Sequence, residues 1–184
     1  MNKIRNKFII IIFSFILVSV IICFTLPGNA DKTNKITNSA LADWTEHFND
    51  LETLSKSSDL IIRGKKVDSY AEQRVDLIFT KEVIEINKIY SGTIEKGSKI
   101  EILQTGGTLN GIETKPFEEA PILDKNGDYL LFLRSTHEGH YLILGGYQGV
   151  GLIKNDKIIL NEHNDKISEL QDTTLTALEK VITK

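Results

Sequence analysis

Hydrophobic positions change period along the chain, and each change marks an element. Phe8 to Leu26, FIIIIFSFILVSVIICFTL, is a run of 19 residues without a charge. At about 1.5 Å rise per residue, a helix of that length crosses most of a hydrocarbon core about 30 Å thick. Residues 27–40 are polar and aperiodic, the pattern of a tether. Leu41, Trp44, Phe48, Leu51 and Leu54 or Ser55 then recur at spacings of three and four, which predicts an amphipathic helix with Asp43 and Glu46 as a capping box. A Trp and Phe stripe at that spacing reads as core rather than as a ligand box.

From Asp59 to Asn161 the period becomes two. Leu60 to Val67 reads as a short strand interrupted by Arg63 and Gly64. In Arg74 to Tyr90, Val75, Leu77 and Phe79 alternate at odd positions while Ile84 and Ile86 alternate at even ones. That change of phase predicts a bulge or bend near Thr80 to Val83, as a strand serving two sheets of a small closed barrel needs. Lys99–Gln104, Tyr129–Leu133, Tyr141–Leu144, Val150–Ile153 and Ile158–Leu160 supply further strands. Asn155-Asp156 reads as a tight hairpin, and Leu109 to Pro121 as a long irregular loop. Ile167, Leu170, Leu178 and Val181 predict a closing helix over Asp165–Lys184, capped by Asn164 or Asp165. The fold class expected is therefore mainly β: a β-barrel of five to seven strands with an α-helix at each end, preceded by an N-terminal hydrophobic helix.

The stretches SDLIIRGKKVDS, VIEINKIYSGTIEKGSKIEILQTGG, GDYLLFL and YLILGGYQG, in that order, resemble a group of uncharacterised exported bacterial proteins. That group is similar to the OB-fold barrels of netrin modules and of tissue inhibitors of metalloproteinases. The resemblance covers roughly Asp59 to Leu160 and implies a small OB-like β-barrel. The inhibitors' zinc-directed cysteine does not carry over, because the sole cysteine, Cys23, lies in the apolar run.

Charge and cysteine content narrow the function classes. Lys3, Arg5 and Lys7 precede the apolar run and no acid occurs before Asp31, which predicts export of the chain beyond that run. Two outcomes fit: a cell-membrane anchor with a single pass and the C-terminal domain outside, or a signal peptide cleaved near Ala30, after Pro27-Gly28-Asn29. The domain boundaries expected are 1–30 for anchor or signal, 31–40 for the tether and 41–184 for the extracytoplasmic domain. The exported part has 22 basic residues less those three against 25 acids, a net charge of about −6. That balance argues against nucleic acid as a partner. With Cys23 set aside, disulfides, cysteine nucleophiles and thiolate metal sites drop out.

The seven residues from Gly145 to Gly151, GGYQGVG, superficially suggest a phosphate loop. They lie between strands, with no helix following and no P-loop lysine, so a tight connection is the better account. His137 and His140 fall in a hairpin loop rather than on a helix face, so no metal is expected there. Asp124 to Asp128, DKNGD, reads as a type I′ hairpin turn rather than a calcium loop. Glu118-Glu119 and Glu82 with Glu85 read as surface acids, and Arg63 and Arg134 as outward or acid-paired. No catalytic group, metal or cofactor is assigned. The function expected is a membrane-tethered interaction module for a protein or cell-envelope partner. The loop residues chosen as binding candidates are Gly146, Tyr147, Gln148, Gly149, Phe117 and Glu118, because function tends to sit on loops held by a scaffold. The alternatives are an extracytoplasmic hydrolase using loop acids and histidines, or a carrier with a hollow barrel.

Overall fold

The computed structural model describes residues 36–39, 46–116, 123–162, 164 and 166–182. The apolar run Phe8–Leu26, the cleavage candidate near Ala30, Trp44, Phe117 and Glu118 lie outside them. No helix among the described residues is long and apolar enough to cross a membrane.

The described chain is mainly β. Strands β2 (Leu60–Arg74) and β3 (Leu77–Ser91) form a long antiparallel hairpin from Ile61 opposite Ser91 to Arg74 opposite Leu77. The change of phase expected near Thr80 to Val83 of β3 is absent there; the phase changes only after Ile86, where Ile89 packs on the ring interior and Tyr90 on the outer core. The even positions Ile78, Glu82, Ile84 and Ile86 are buried, and the extra residues of the irregular pairings lie elsewhere, Val67 on β2 and Asn87 and Tyr90 on β3. The polar Thr80 and Glu82 hide the inward row from a hydrophobicity pattern, while Leu77 and Phe79 imitate one on the outer face. There the Arg74 guanidinium stands 5.8 Å from the centre of the Phe79 ring.

Val75, expected on the strand, instead begins the two-residue turn, 89% exposed and at φ 54. A β-branched residue in left-handed backbone costs roughly 1–2 kcal/mol, and an exposed side chain recovers none of it by packing. Val75→Asn is accordingly expected to raise stability by about 1 kcal/mol, seen as a melting temperature higher by roughly 2–4 °C. An unchanged or lower value would show that the turn is not strained.

The strand ring closes through β4 (Lys99–Thr105), β7 (Asp128–Ser135) and β8 (Tyr141–Ile143). β7 pairs with β2, β2 with β3, β3 with β4, and β8 bridges β4 and β7. The bridge is parallel to β4 at Ile102–Tyr141 and antiparallel to β7 at Leu133–Ile143. From β7 the sheet continues outward through β9 (Val150–Lys154) and β10 (Lys157–Ile159). Asn155 and Asp156, at φ 49 and 65, join that pair in the two-residue turn expected of them.

A small second sheet holds β1 (Ile36–Ser39), β5 (Gly107–Leu109) and β6 (Ile112–Lys115), with β6 in the middle. Two parts of the chain therefore differ from expectation. Ile36–Ser39 within the polar tether pairs in parallel with β6. The first part of the irregular loop is a hairpin turned at Asn110-Gly111, whose two positive φ angles suit Asn and Gly.

One core fills the ring and a second lies on the sheet's other face. The ring interior holds Leu60, Ile62, Ile84, Ile102, Leu131 and Leu133 among others. The outer core joins Leu130 and Phe132 of β7 to Phe48, Leu51, Leu54, Leu170 and Leu178. Both flanking helices are shorter than their periodicity predicts. α1 spans Leu51–Ser57 and is capped by Asp50, which accepts the Thr53 N–H at 2.7 Å, while Asp43, the expected cap, lies outside the described residues. α2 spans Leu175–Ile182. The chain before it pairs with β10, Thr173 accepting from the Ile158 N–H and Ile158 accepting from the Asp172 N–H. Ile167 and Leu170 thus reach the core beside a 3-10 turn at Ser168–Leu170 rather than from a helix face.

Arg63 and Arg134 are paired with acids, as expected. Arg63 grips Asp128 at 2.6 and 3.0 Å, and Arg134 Nη1 lies 2.8 Å from both oxygens of Glu46. Beside Arg134, Asp59 accepts from the Ser135 N–H and hydroxyl, and those bonds hold its carboxyl below the usual range. A lowered carboxyl stabilises the fold above its unfolded pKa, and that stability is lost as pH falls through its folded pKa. Asp59→Asn is expected to lose less stability than the parent between pH 7 and pH ~2.5, measured by urea midpoints at each pH. Parallel losses would show that Asp59 has no part in the acid transition.

The polar mouth of the strand ring as candidate functional site

The inward row of β2 runs Leu60, Ile62, Gly64, Lys66, and that of β3 runs Ile86, Ile84, Glu82, Thr80. The ring is thus aliphatic along most of its depth and ionic at one end. Both charged side chains are deeply buried, Lys66 at 9% and Glu82 at 6% exposure. Glu82, expected as a surface acid, is placed inside because the even positions of β3 from Ile78 to Ile86 face inward.

Lys66 Nζ donates to the Leu123 carbonyl at 2.6 Å and lies 2.7 Å from Glu82 Oε2. The second contact is an ion pair between two buried charges, and Oε2 is shut off from solvent. Burial pushes the Glu82 carboxyl up, and Lys66 opposes that shift.

The turn Asp124–Gly127 packs against the same end. The Lys66 N–H donates to Gly127 and the Asn126 N–H to Lys66. Asn126 alone of its central pair has a positive φ, 63. That is the type II pattern rather than the I′ hairpin expected for DKNGD.

A cleft of about 250 Å3 opens at Glu82, walled by Thr80, Gln104, Gly106, Gly107, Thr108 and Thr114. It exists because β4 leaves the ring at Gly106 and Gly107, both at positive φ. A Cβ on Gly106 would stand 2.6 Å from the Pro116 nitrogen, so only glycine lets the small sheet fold against the ring. Two threonines secure the junction: Thr80 Oγ1 donates to the Gly106 carbonyl, and Thr114 Oγ1 accepts from the Ile78 N–H, each at 2.7 Å. Glu113 also borders the cleft.

The glycine-rich turn is built for close packing. Gly146–Gly149 forms a 3-10 turn entered through Gly145 at φ 59, and a Cβ on Gly149 would stand 2.3 Å from the Leu144 carbonyl oxygen. Gly146 and Gly149 are buried. The Gln148 side chain turns inward, accepting from the Phe48 N–H at 2.9 Å and donating to the Phe48 carbonyl at 2.7 Å. Tyr147 differs, half-buried on a second groove of about 240 Å3 with Tyr129, Val150, Leu152, Ile159 and Leu160.

Of the loop candidates, then, Tyr147 borders a groove and Gln148 is spent on the fold, while Phe117 and Glu118 lie outside the described residues. His137 and His140 lie at the β7–β8 turn, and neither borders the mouth cleft or the Tyr147 groove. Among the described residues, no cluster of His, Cys, Asp and Glu is placed to hold a metal ion. Hydrophobic patterning missed the mouth. Its one sequence signal is Lys66, two residues beyond Gly64 on a row that begins with Leu60 and Ile62. No protein-family model matches the chain, and no curated protein matches it.

Proposed function

We propose that the chain is an exported, membrane-tethered interaction module on an OB-like barrel, and that it recognises a protein or cell-envelope partner at the mouth of its strand ring. The observation that carries this is the filled interior: aliphatic side chains pack the ring as far as Lys66 and Glu82, leaving recognition to the polar end. A carrier would need the interior to be hollow. A hydrolase built on loop acids and histidines would need both in one cleft, whereas His137 and His140 stand apart from this one. The ring of five strands fed by a long hairpin supports the OB-like reading. The Phe8–Leu26 run, with lysine and arginine before it, supports the tether.

The test has two arms. Cell fractionation with intact mass is expected to find the full-length chain in the membrane; a soluble species beginning at Asp31 would remove the tether. A photo-crosslinking residue placed at the exposed Thr108 is expected to give one discrete adduct in cells, absent when the same residue replaces Lys96 on the β3–β4 turn. Equal labelling at both sites would remove recognition at the mouth.

A further inference from the structure

We infer that the outer end of β2 is a self-association edge, where Asp68–Arg74 pairs antiparallel with the same stretch of a second copy of the chain. This goes beyond the reading of the mouth and does not rest on it. The hairpin fixes which backbone groups face outward. Arg74 and Leu77 close its two-residue turn, and such a closing pair exchanges both hydrogen bonds, so Asp68, Tyr70, Glu72 and Arg74 bond to β3. Contacts of the far strand agree with that parity: Ile78 donates its N–H to Thr114 and accepts from the Gly106 N–H, both away from β2. The backbone groups of Ser69, Ala71 and Gln73 therefore point sideways out of the sheet. β7 covers that side of β2 from Leu60 to Lys65, and the Asp124–Gly127 turn covers Lys66. Past Val67, Asp68, Ser69, Tyr70 and Gln73 are exposed, Tyr70 at 43%, and no strand among the described residues pairs on that side. An edge of this kind is a template for another strand.

The order of side chains selects the occupant and the register. An antiparallel pairing of this stretch with itself, centred on Ala71, sets Ser69 opposite Gln73 and Ala71 opposite Ala71, with their outward groups bonded. It also sets Asp68 opposite Arg74 of the second copy at both ends, and Tyr70 opposite Glu72. Opposite charges facing each other stabilise a strand pair, and like charges oppose it. Centring on Tyr70 would bring Asp68 against Glu72, and centring on Glu72 would bring that acid against its own counterpart. Moving further runs the pairing into the Val75-Asp76 turn or the Asp124–Gly127 turn. The Ser69 N–H of the single chain rests on its neighbour Asp68 Oδ1 at 2.9 Å. On pairing, the Gln73 carbonyl of the second copy takes that N–H and frees Asp68 for Arg74. Arg74 gives Nε to Glu72 and Nη1 to Glu138, and its guanidinium carries five N–H donors, so others remain for Asp68. Each copy supplies one strand, less than the about 20–30 residues a side of a standard interface, so the pair is weak in dilute solution and forms where the chain is concentrated.

The experiment is disulfide trapping of the full chain in whole cells with an added thiol oxidant, in a Cys23→Ser background. Ala71 faces itself across the two-fold axis, with Cα atoms about 5.5 Å apart in a bonded pair, within the ~4.4–6.8 Å that a disulfide spans. Ala71→Cys is therefore expected to give a covalent dimer. Tyr70→Cys and Glu72→Cys, each offset along the strand from its own counterpart, should be trapped at least about tenfold more slowly. Adding Asp68→Arg to Ala71→Cys places Arg against Arg at both ends and should slow trapping about tenfold. Asp68 is exposed, and the melting temperature of that variant checks that the fold is kept. Ala71→Pro gives a second reading, by light scattering on the concentrated chain in detergent. It removes an outward N–H, which an edge strand tolerates, and should leave a monomer where the parent is a dimer. No dimer from Ala71→Cys overturns the inference. Equal trapping at Tyr70→Cys or Glu72→Cys, or trapping undiminished by Asp68→Arg, overturns the register. A dimer that persists in Ala71→Pro places the contact elsewhere and overturns the edge.

Discussion

Gln148→Ala is expected to cost the domain several kcal/mol. The Gln148 side chain holds the backbone of Phe48, 100 residues earlier, through both its N–H and its carbonyl. Phe48 itself is buried in the outer core with Leu51 and Leu54 of α1. Truncation strands both Phe48 groups away from water, at about 1–3 kcal/mol for each. Urea unfolding followed by tryptophan fluorescence and circular dichroism measures the change. Gln148→Glu adds a signature that a packing defect would lack. Its carboxylate accepts from the Phe48 N–H but cannot donate to the carbonyl, so the variant should regain stability as pH falls and the carboxyl gains a proton. A loss under about 0.5 kcal/mol for Gln148→Ala, the size of an ordinary surface change, would mean that the clamp does not hold the first helix to the sheet.

The second large effect lies at the ring mouth. Lys66→Met should cost about 3–5 kcal/mol, because it leaves a buried carboxylate with no counter-charge. Changing both residues to Met should restore stability to the parent level or exceed it by about 1–4 kcal/mol, since an aliphatic pair needs no desolvation of charge. The pH dependence carries the sign. Burial raises the Glu82 carboxyl, so its contribution to stability is greatest at acid pH and is lost as pH rises through its folded pKa. Lys66→Met should therefore be weakest at neutral pH and recover on acidification, as the carboxyl takes up a proton. If Lys66→Met matches the parent at pH 7, the pair is not buried in solution and the mouth as described is wrong. A restored double variant would also show that the fold does not need the ion pair.

Much of the fold was legible along the chain. Alternation placed the β region, Asn155-Asp156 marked its turn, and the glycines after Leu144 read correctly as a tight connection. The misreadings share a cause. Val75, Leu77 and Phe79 alternate as an inward row would, yet Val75 is the turn and Phe79 lies outside with Arg74. Thr80 and Glu82 look like an outer face and point into the ring. Period shows that a strand has two faces; where polar residues occupy the inner one, it cannot say which is which.

The helices failed by a different route. A spacing of three and four is local and survives wherever core residues recur. Phe48 and Ile167 nevertheless reach the core from non-helical backbone, because Gln148 holds Phe48 and β10 draws in the chain before α2. The sequence alone determined the apolar run, the β class, the absence of cysteine from the rest of the chain and the positions of the short turns, all of which depend on neighbours within a few residues. Ring closure, the shortened helices, the Gln148 clamp and the meeting of Lys66 with Glu82 depend on residues 16 to 100 positions apart. Such contacts are selected by packing and by the need to satisfy buried charge, and only the tertiary structure decides them.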